Sequence, residues 1–117
     1  MGYYSIMDIY LKIKAESIEK FKKISEQDDI KSIDTKRHVL KRFFESITIQ
    51  NDGGIYIEEA SQKWYDSDHL AEFLSPYVSK GKIEFTGEDG EKWGYDFDGN
   101  GGVYNLIYSS KRGIKIN

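Results

Sequence analysis

Residues 96–101, with the sequence DFDGNG, offer the most recognisable set of potential metal ligands in the chain. A calcium loop of the EF-hand kind has oxygen ligands at positions 1, 3 and 5, then a glycine, and a bidentate glutamate at position 12. Asp96, Asp98 and Asn100 occupy the first three of these positions, but position 12 is Ile107. Because the strongest ligand is missing, we favour a tight β-turn, in which Asp, Asn and Gly are the common residues. A calcium site completed by a distant carboxylate is the alternative.

A second group of polar side chains lies at residues 64–69, with the sequence WYDSDH. Two carboxylates and one imidazole within four residues could serve metal binding or general-base catalysis. Asp66, Ser67 and Asp68 are equally typical of the first turn of a helix, which they cap and whose dipole they complement. We favour capping, because His69 has no partner cluster in the sequence.

Other catalytic motifs are missing from the sequence. It contains no G-x-S-x-G elbow, no phosphate loop and no dinucleotide fingerprint, and only two histidines could activate a nucleophile. There is no cysteine, which excludes disulfides, thiolate nucleophiles and zinc–cysteine sites. We therefore expect a protein that is not an enzyme and has no cofactor, apart from the calcium alternative.

Aromatic and acidic residues in the last third of the chain form the candidate binding surface. Aromatic residues make up 15% of the chain, and tyrosine and tryptophan are enriched at binding hot spots. A sheet covered by helices on one face leaves tyrosines on the other face free to contact a partner. Together with the two acidic turns, this predicts protein-binding residues Tyr95, Tyr104, Tyr108, Glu88, Asp89 and Asp98.

The hydrophobic pattern predicts the elements that position these residues. Residues 4–14 alternate as a half-buried strand, and residues 16–27 and 36–47 have the apolar spacing of helices. A hairpin is predicted around the turn at residues 51–54. A third helix follows Ser67; Pro76 should shorten it, and Gly81 is a suitable stop. Residues 82–108 predict a three-stranded meander, with residues 109–117 as a weakly apolar tail.

These elements predict a single α+β domain over residues 1–117, in the order β-α-α-β-β-α-β-β-β. We expect one antiparallel sheet of about six strands, with a mixed sheet left open, and two to three helices on one face. The first six elements could form a ferredoxin-like βαββαβ arrangement.

Charge and hydropathy narrow the environment and the partners. The net charge of −3 and the acidic pI argue against a dedicated nucleic-acid binder, which normally carries a basic excess. The densest basic cluster, Lys36, Arg37, Lys41 and Arg42, is typical of the solvated face of an amphipathic helix. No apolar run approaches the roughly 20 residues of a membrane-spanning helix, and the first residues do not have the pattern of a signal peptide. We expect a cytoplasmic protein without a membrane partner.

The run KWYD at residues 63–66, a short helix and then GEDGEKWGYDFDG resemble small α+β proteins of low-GC Gram-positive bacteria and their phages. The resemblance covers about residues 60–100 and implies no catalytic residue. It implies a phage or mobile-element setting, in which small acidic proteins inhibit host nucleases or defence proteins, as anti-CRISPR proteins do.

The sequence therefore predicts a small acidic protein-binding module, an inhibitor of a basic nuclease or defence protein. Acidic inhibitors gain association rate by electrostatic steering toward basic channels. Two alternatives stay open: a calcium- or small-ligand-binding domain that uses residues 96–101, and an immunity or antitoxin protein for a co-encoded toxin.

Overall fold

Across residues 4–26, 30–34, 36–107 and 111–117, which the computed structural model describes, a six-stranded antiparallel sheet forms the centre of the fold. Its strands along the chain are β1 (Ser5–Ile13), β4 (Ser61–Gln62), β5 (Val78–Gly87), β6 (Lys92–Phe97), β7 (Val103–Ile107) and β8 (Lys111–Lys115). Their spatial order is β4-β1-β5-β6-β7-β8. A separate two-stranded hairpin is formed by β2 (Ile47–Ile49) and β3 (Ile55–Ile57). The α+β class with an antiparallel sheet is therefore confirmed.

Helices cover one face of the sheet only. After a 3-10 turn at Ala15–Ser17 come α1 (Ile18–Glu26), α2 (Ile30–Ile33), α3 (Val39–Glu45) and α4 (Ser67–Leu74). Their buried side chains share one core with those of the sheet. Burial alternates along β1 and along β5 from Ile83 to Gly87, as expected of a half-covered antiparallel sheet. The largest fully buried side chains are those of Phe21, Phe43, Phe85, Phe97 and Met7.

The hairpin does not join the main sheet as the sequence suggested. It approaches β1 through an isolated bridge between Lys12 and Gly54, with Ile13 N donating to Gly53 O at 2.9 Å. The pairing of β1 with β5 and its bridge to the hairpin are both antiparallel, as the ferredoxin-like arrangement requires. The four strands are nevertheless not joined into one sheet, because β2 and β3 form a separate two-stranded sheet.

The predicted boundary between the third helix and the meander is also wrong. The helix ends at Leu74, two residues before Pro76, and β5 begins at Val78. Gly81 therefore lies inside the strand, where its φ is 119° and an added Cβ would lie 2.0 Å from Tyr10 O. A glycine is required at this position because two strand backbones approach each other closely, and not because a helix ends there.

The tail predicted for residues 109–117 contains a strand. Residues 111–115 form β8, which pairs with β7, and the next residue, Ile116, donates its N–H to Val103 O at 3.0 Å. Lysine, arginine and glycine make this segment weakly apolar, which is typical of an edge strand. Hydrophobic pattern alone does not reveal such a strand.

Candidate functional site

The sheet face opposite the helices carries exposed aromatic and aliphatic side chains along β1. Ile6 and Tyr10 alternate with the buried Met7 and Leu11, and their exposed fractions are 51% and 61%. Tyr4, which precedes the strand with the same alternation, is 46% exposed. We call this uncovered surface of β1, β5, β6, β7 and β8 the open face. Exposed apolar side chains grouped in this way are typical of interaction sites.

One row of residues crosses the open face at a right angle to the strands. The register pairs Tyr10 with Lys82, Lys82 with Asp96, Asp96 with Tyr104 and Tyr104 with Lys115. Residues paired directly across an antiparallel ladder project from the same face. The row therefore presents two tyrosines, two lysines and one aspartate side by side on five neighbouring strands.

Contacts within the open face hold its side chains in place. Lys82 Nζ lies 5.5 Å from the centre of the Tyr10 ring and 2.8 Å from Glu84 Oε1. The hydrogen bond and the negative charge of Glu84 raise the pKa of Lys82 above its usual value. Lys115 Nζ lies 6.0 Å from the centre of the Tyr104 ring in the same way. Each tyrosine of the row thus has a lysine over its ring.

Among the predicted binding residues, Tyr95 is buried in the free protein. It lies on the helix-facing side of β6 and is only 6% exposed, which places it in the core and not on the open face. Its hydroxyl is 2.9 Å from Ser67 Oγ, which also accepts a hydrogen bond from Trp93 Nε1 at 3.0 Å. Burial raises the pKa of Tyr95, partly offset by the Ser67 hydrogen bond. Ser67 thus connects α4 with β6 and does not cap the helix with its side chain.

The acidic turn between β5 and β6 remains at the surface. Glu88 and Asp89 are exposed, and Glu88 Oε1 accepts a hydrogen bond from Tyr4 N at 3.1 Å. This contact places one carboxylate at the Tyr4 end of the open face. Tyr104 lies on the open face, half-buried within its row. Tyr108 lies outside the described residues.

The turn at residues 96–101 has the geometry of a hairpin connection. Asp98 Oδ1 accepts hydrogen bonds from Asn100 N at 2.8 Å and from Gly102 N at 2.9 Å, as in an Asx-type turn. Asp96 belongs to the row on the open face. In the part of the chain that the structure describes, no group of three or more His, Asp or Glu side chains is arranged to hold a metal ion. The calcium alternative therefore gains no support from this turn.

The polar groups at residues 64–69 and the basic helix face serve to join helices. Arg37 Nε lies 3.4 Å from Asp66 Oδ2, and Arg42 Nη1 donates to Lys63 O at 2.7 Å. His69 Nε2 is 3.2 Å from Ile33 O. These contacts connect the segment before α4, and α4 itself, to α2 and α3. Asp66 occupies the N-cap position and Asp68 the first turn of α4, as predicted, but the side chain of Asp66 makes no capping hydrogen bond.

The start of α3 is held by Asp34. Its buried carboxylate accepts hydrogen bonds from Leu40 N at 2.9 Å and from Lys41 N at 3.1 Å. These amides belong to the first turn of the helix and have no partner within it.

Sequence reasoning missed most of the open face. Ile6, Lys82 and Lys115 were not candidates, because their exposure depends on which side of the meander the helices cover. The alternation of β1 was the available signal, since it already placed Tyr10 opposite the apolar residues. The cross-strand register that aligns the row has no local signature in the sequence.

No protein-family model, curated protein or solved structure matches this chain. Within the described residues, no helix is long and apolar enough to cross a membrane.

Proposed function

We propose that this chain is a protein-binding module that contacts its partner with the open face. The observation that carries the proposal is the row from Tyr10 to Lys115, together with the exposed Ile6 and Tyr4 beside it. Tyrosine offers a large contact area at low cost in side-chain entropy, and here lysines already order the rings. Such a surface is more typical of a specific protein contact than of an ordinary solvent-exposed face.

The mixed charge of the open face favours a protein over a nucleic acid. Asp8, Glu84 and Asp96 lie on this face among the lysines, and Asp8 and Glu84 are directly opposite each other. A phosphate backbone would be repelled by these carboxylates, and phosphate contacts dominate nucleic-acid affinity. Tyrosines with both signs of charge are instead typical of protein interfaces.

For the class of partner, we propose a nuclease or defence protein that the module inhibits, following the resemblance to phage proteins. The exposed carboxylates of Glu88 and Asp89 at one end of the open face suit contacts with basic residues of such an enzyme. The inhibitor blocks its target by occupying a surface and performs no chemistry on it.

The proposal is tested by affinity capture from a lysate of the host cell with four forms of the protein. The wild type and Ile33→Ala should retain the same partner, because Ile33 is 43% exposed but lies in α2 on the helix side. Tyr104→Ala should retain less of it, and Tyr10→Ala/Tyr104→Ala almost none, with unchanged melting temperatures. Equal retention by all four forms, or no protein retained by the wild type above the double variant, contradicts the proposal.

A further inference from the structure

A groove of about 500 Å3 opens between β1 and the start of β3. The half-buried Ile9 and Ile55 and the exposed Tyr10 supply its apolar lining. We call it the hairpin groove. Because Tyr10 also belongs to the row described above, the hairpin groove is continuous with the open face. Its volume is in the range of ligand-binding clefts, although it is open to solvent along its length.

Two lysines stand at the rim of the hairpin groove. Lys12 and Lys80 line it and are directly opposite each other on β1 and β5. Like charges in such a position repel and destabilise the strand pair. Within the described residues, neither ammonium group forms an ion pair, unlike Lys82 in the next row. An anionic group between the two lysines would remove this repulsion.

We propose that the hairpin groove binds an acidic peptide segment of the protein partner. An apolar side chain of the segment lies against Ile9, Ile55 and Tyr10, and an adjacent Asp or Glu carboxylate lies between Lys12 and Lys80. The inference rests on the proposed function, since the segment belongs to the protein that occupies the open face. It adds a chemical requirement, which is an apolar residue next to a carboxylate.

Two features of the hairpin groove select a peptide over a free anion. The apolar lining gives an inorganic anion nothing to contact, whereas burial of one aliphatic side chain contributes roughly 1.5–3 kcal/mol in general. Gln50, which also lines the groove, can hydrogen-bond a peptide backbone. Because Lys12 and Lys80 are both cationic, the peptide residue next to the apolar side chain is expected to be negatively charged.

The test is a selection from a displayed library of random heptapeptides on the immobilised protein. Enriched peptides are expected to combine an aliphatic or aromatic residue with an adjacent Asp or Glu. Synthetic copies should bind Lys12→Gln/Lys80→Gln about tenfold more weakly than wild type, since each exposed ion pair contributes a modest amount. The matched control is Lys20→Gln/Lys23→Gln, which neutralises two exposed lysines on α1 and should bind like wild type. Binding should also weaken as the NaCl concentration rises.

The groove variant should fold at least as well as wild type, because it removes a repulsive pair; its melting temperature checks this. Enrichment of basic peptides, equal binding by the groove variant, or no enrichment at all overturns the inference. Such a result leaves the proposed function intact if capture of the native partner still depends on Tyr104, which does not line the hairpin groove. Loss of the Tyr104 dependence contradicts the proposed function instead.

Discussion

Tyr10 and Lys82 lie directly opposite each other on β1 and β5, with Lys82 Nζ 5.5 Å from the centre of the Tyr10 ring. The same ammonium group also forms an ion pair with Glu84, with 2.8 Å between Lys82 Nζ and Glu84 Oε1. Tyr10 is therefore 61% exposed and yet held in place by its neighbour. An aromatic side chain that is ordered before the partner arrives loses less entropy on binding.

Lys82→Gln should weaken partner binding about two- to fivefold, because it removes a cation–π contact that contributes about 0.5–1 kcal/mol at exposed sites. The fold should be unaffected, since the residue lies on the solvent side of the sheet. Calorimetric titration of the captured partner measures the change. Lys36→Gln, an exposed lysine before α3, is the control and should bind normally. An unchanged affinity for Lys82→Gln would show that ordering of Tyr10 does not contribute.

Ser67→Ala should lower the free energy of unfolding by about 1–3 kcal/mol, because it leaves the buried Tyr95 hydroxyl and Trp93 Nε1 without their hydrogen-bond partner. Urea denaturation followed by tryptophan fluorescence gives the value. Ser61→Ala, in the exposed short strand β4, should change stability by no more than about 0.5 kcal/mol. Similar losses for both variants would contradict the role of Ser67 as the link between α4 and β6.

Alkaline pH should destabilise the protein through Tyr95. Burial raises the pKa of Tyr95 in the folded protein above the usual value of about 10. Above pH 10 the unfolded chain therefore loses this proton while the folded protein keeps it, so stability is complete below pH 10 and falls as the pH rises toward the folded pKa. Urea denaturation at a series of pH values should show a smaller decline for Tyr95→Phe than for wild type. Parallel declines would contradict this.

Gly81→Ala should be far more destabilising than Gly90→Ala, although both glycines have positive φ values. At Gly90 nothing lies within 4 Å of an added Cβ, so only backbone strain of about 1–2 kcal/mol is expected. At Gly81 the Cβ would lie 2.0 Å from Tyr10 O, which adds roughly 1–3 kcal/mol of overpacking. Denaturation midpoints compare the two directly, and equal losses would rule out the close approach of β1 and β5.

Much of the fold could be predicted from the sequence where the pattern is local. The alternation of β1, the apolar spacing of α1, α3 and α4, and the hairpin turn at residues 51–54 all led to the observed elements. The place of Gly81 inside a strand and the existence of β8 could not be predicted. Gly81 is needed because the backbone of β1, 70 residues away in the chain, lies against it. The residues of β8 are mostly polar and show little hydrophobic pattern.

The candidate site was predicted less well, for the same physical reason. Tyr95 and Tyr104 have similar sequence surroundings, yet one faces the helices and the other the solvent. A shift of one position along a strand exchanges the two faces, and only the tertiary arrangement determines which face is covered. Tyr10 was identifiable because β1 has a single clearly apolar side.

The open face is tested most directly by hydroxyl-radical footprinting of the protein alone and in complex with its captured partner. Oxidation of Tyr10, Ile6 and Tyr104 should fall several-fold in the complex, while oxidation of Ile33 on the helix side stays at the rate of the free protein. The opposite pattern, with Ile33 protected and the tyrosines of the row oxidised as in the free protein, would contradict a partner contact through the open face.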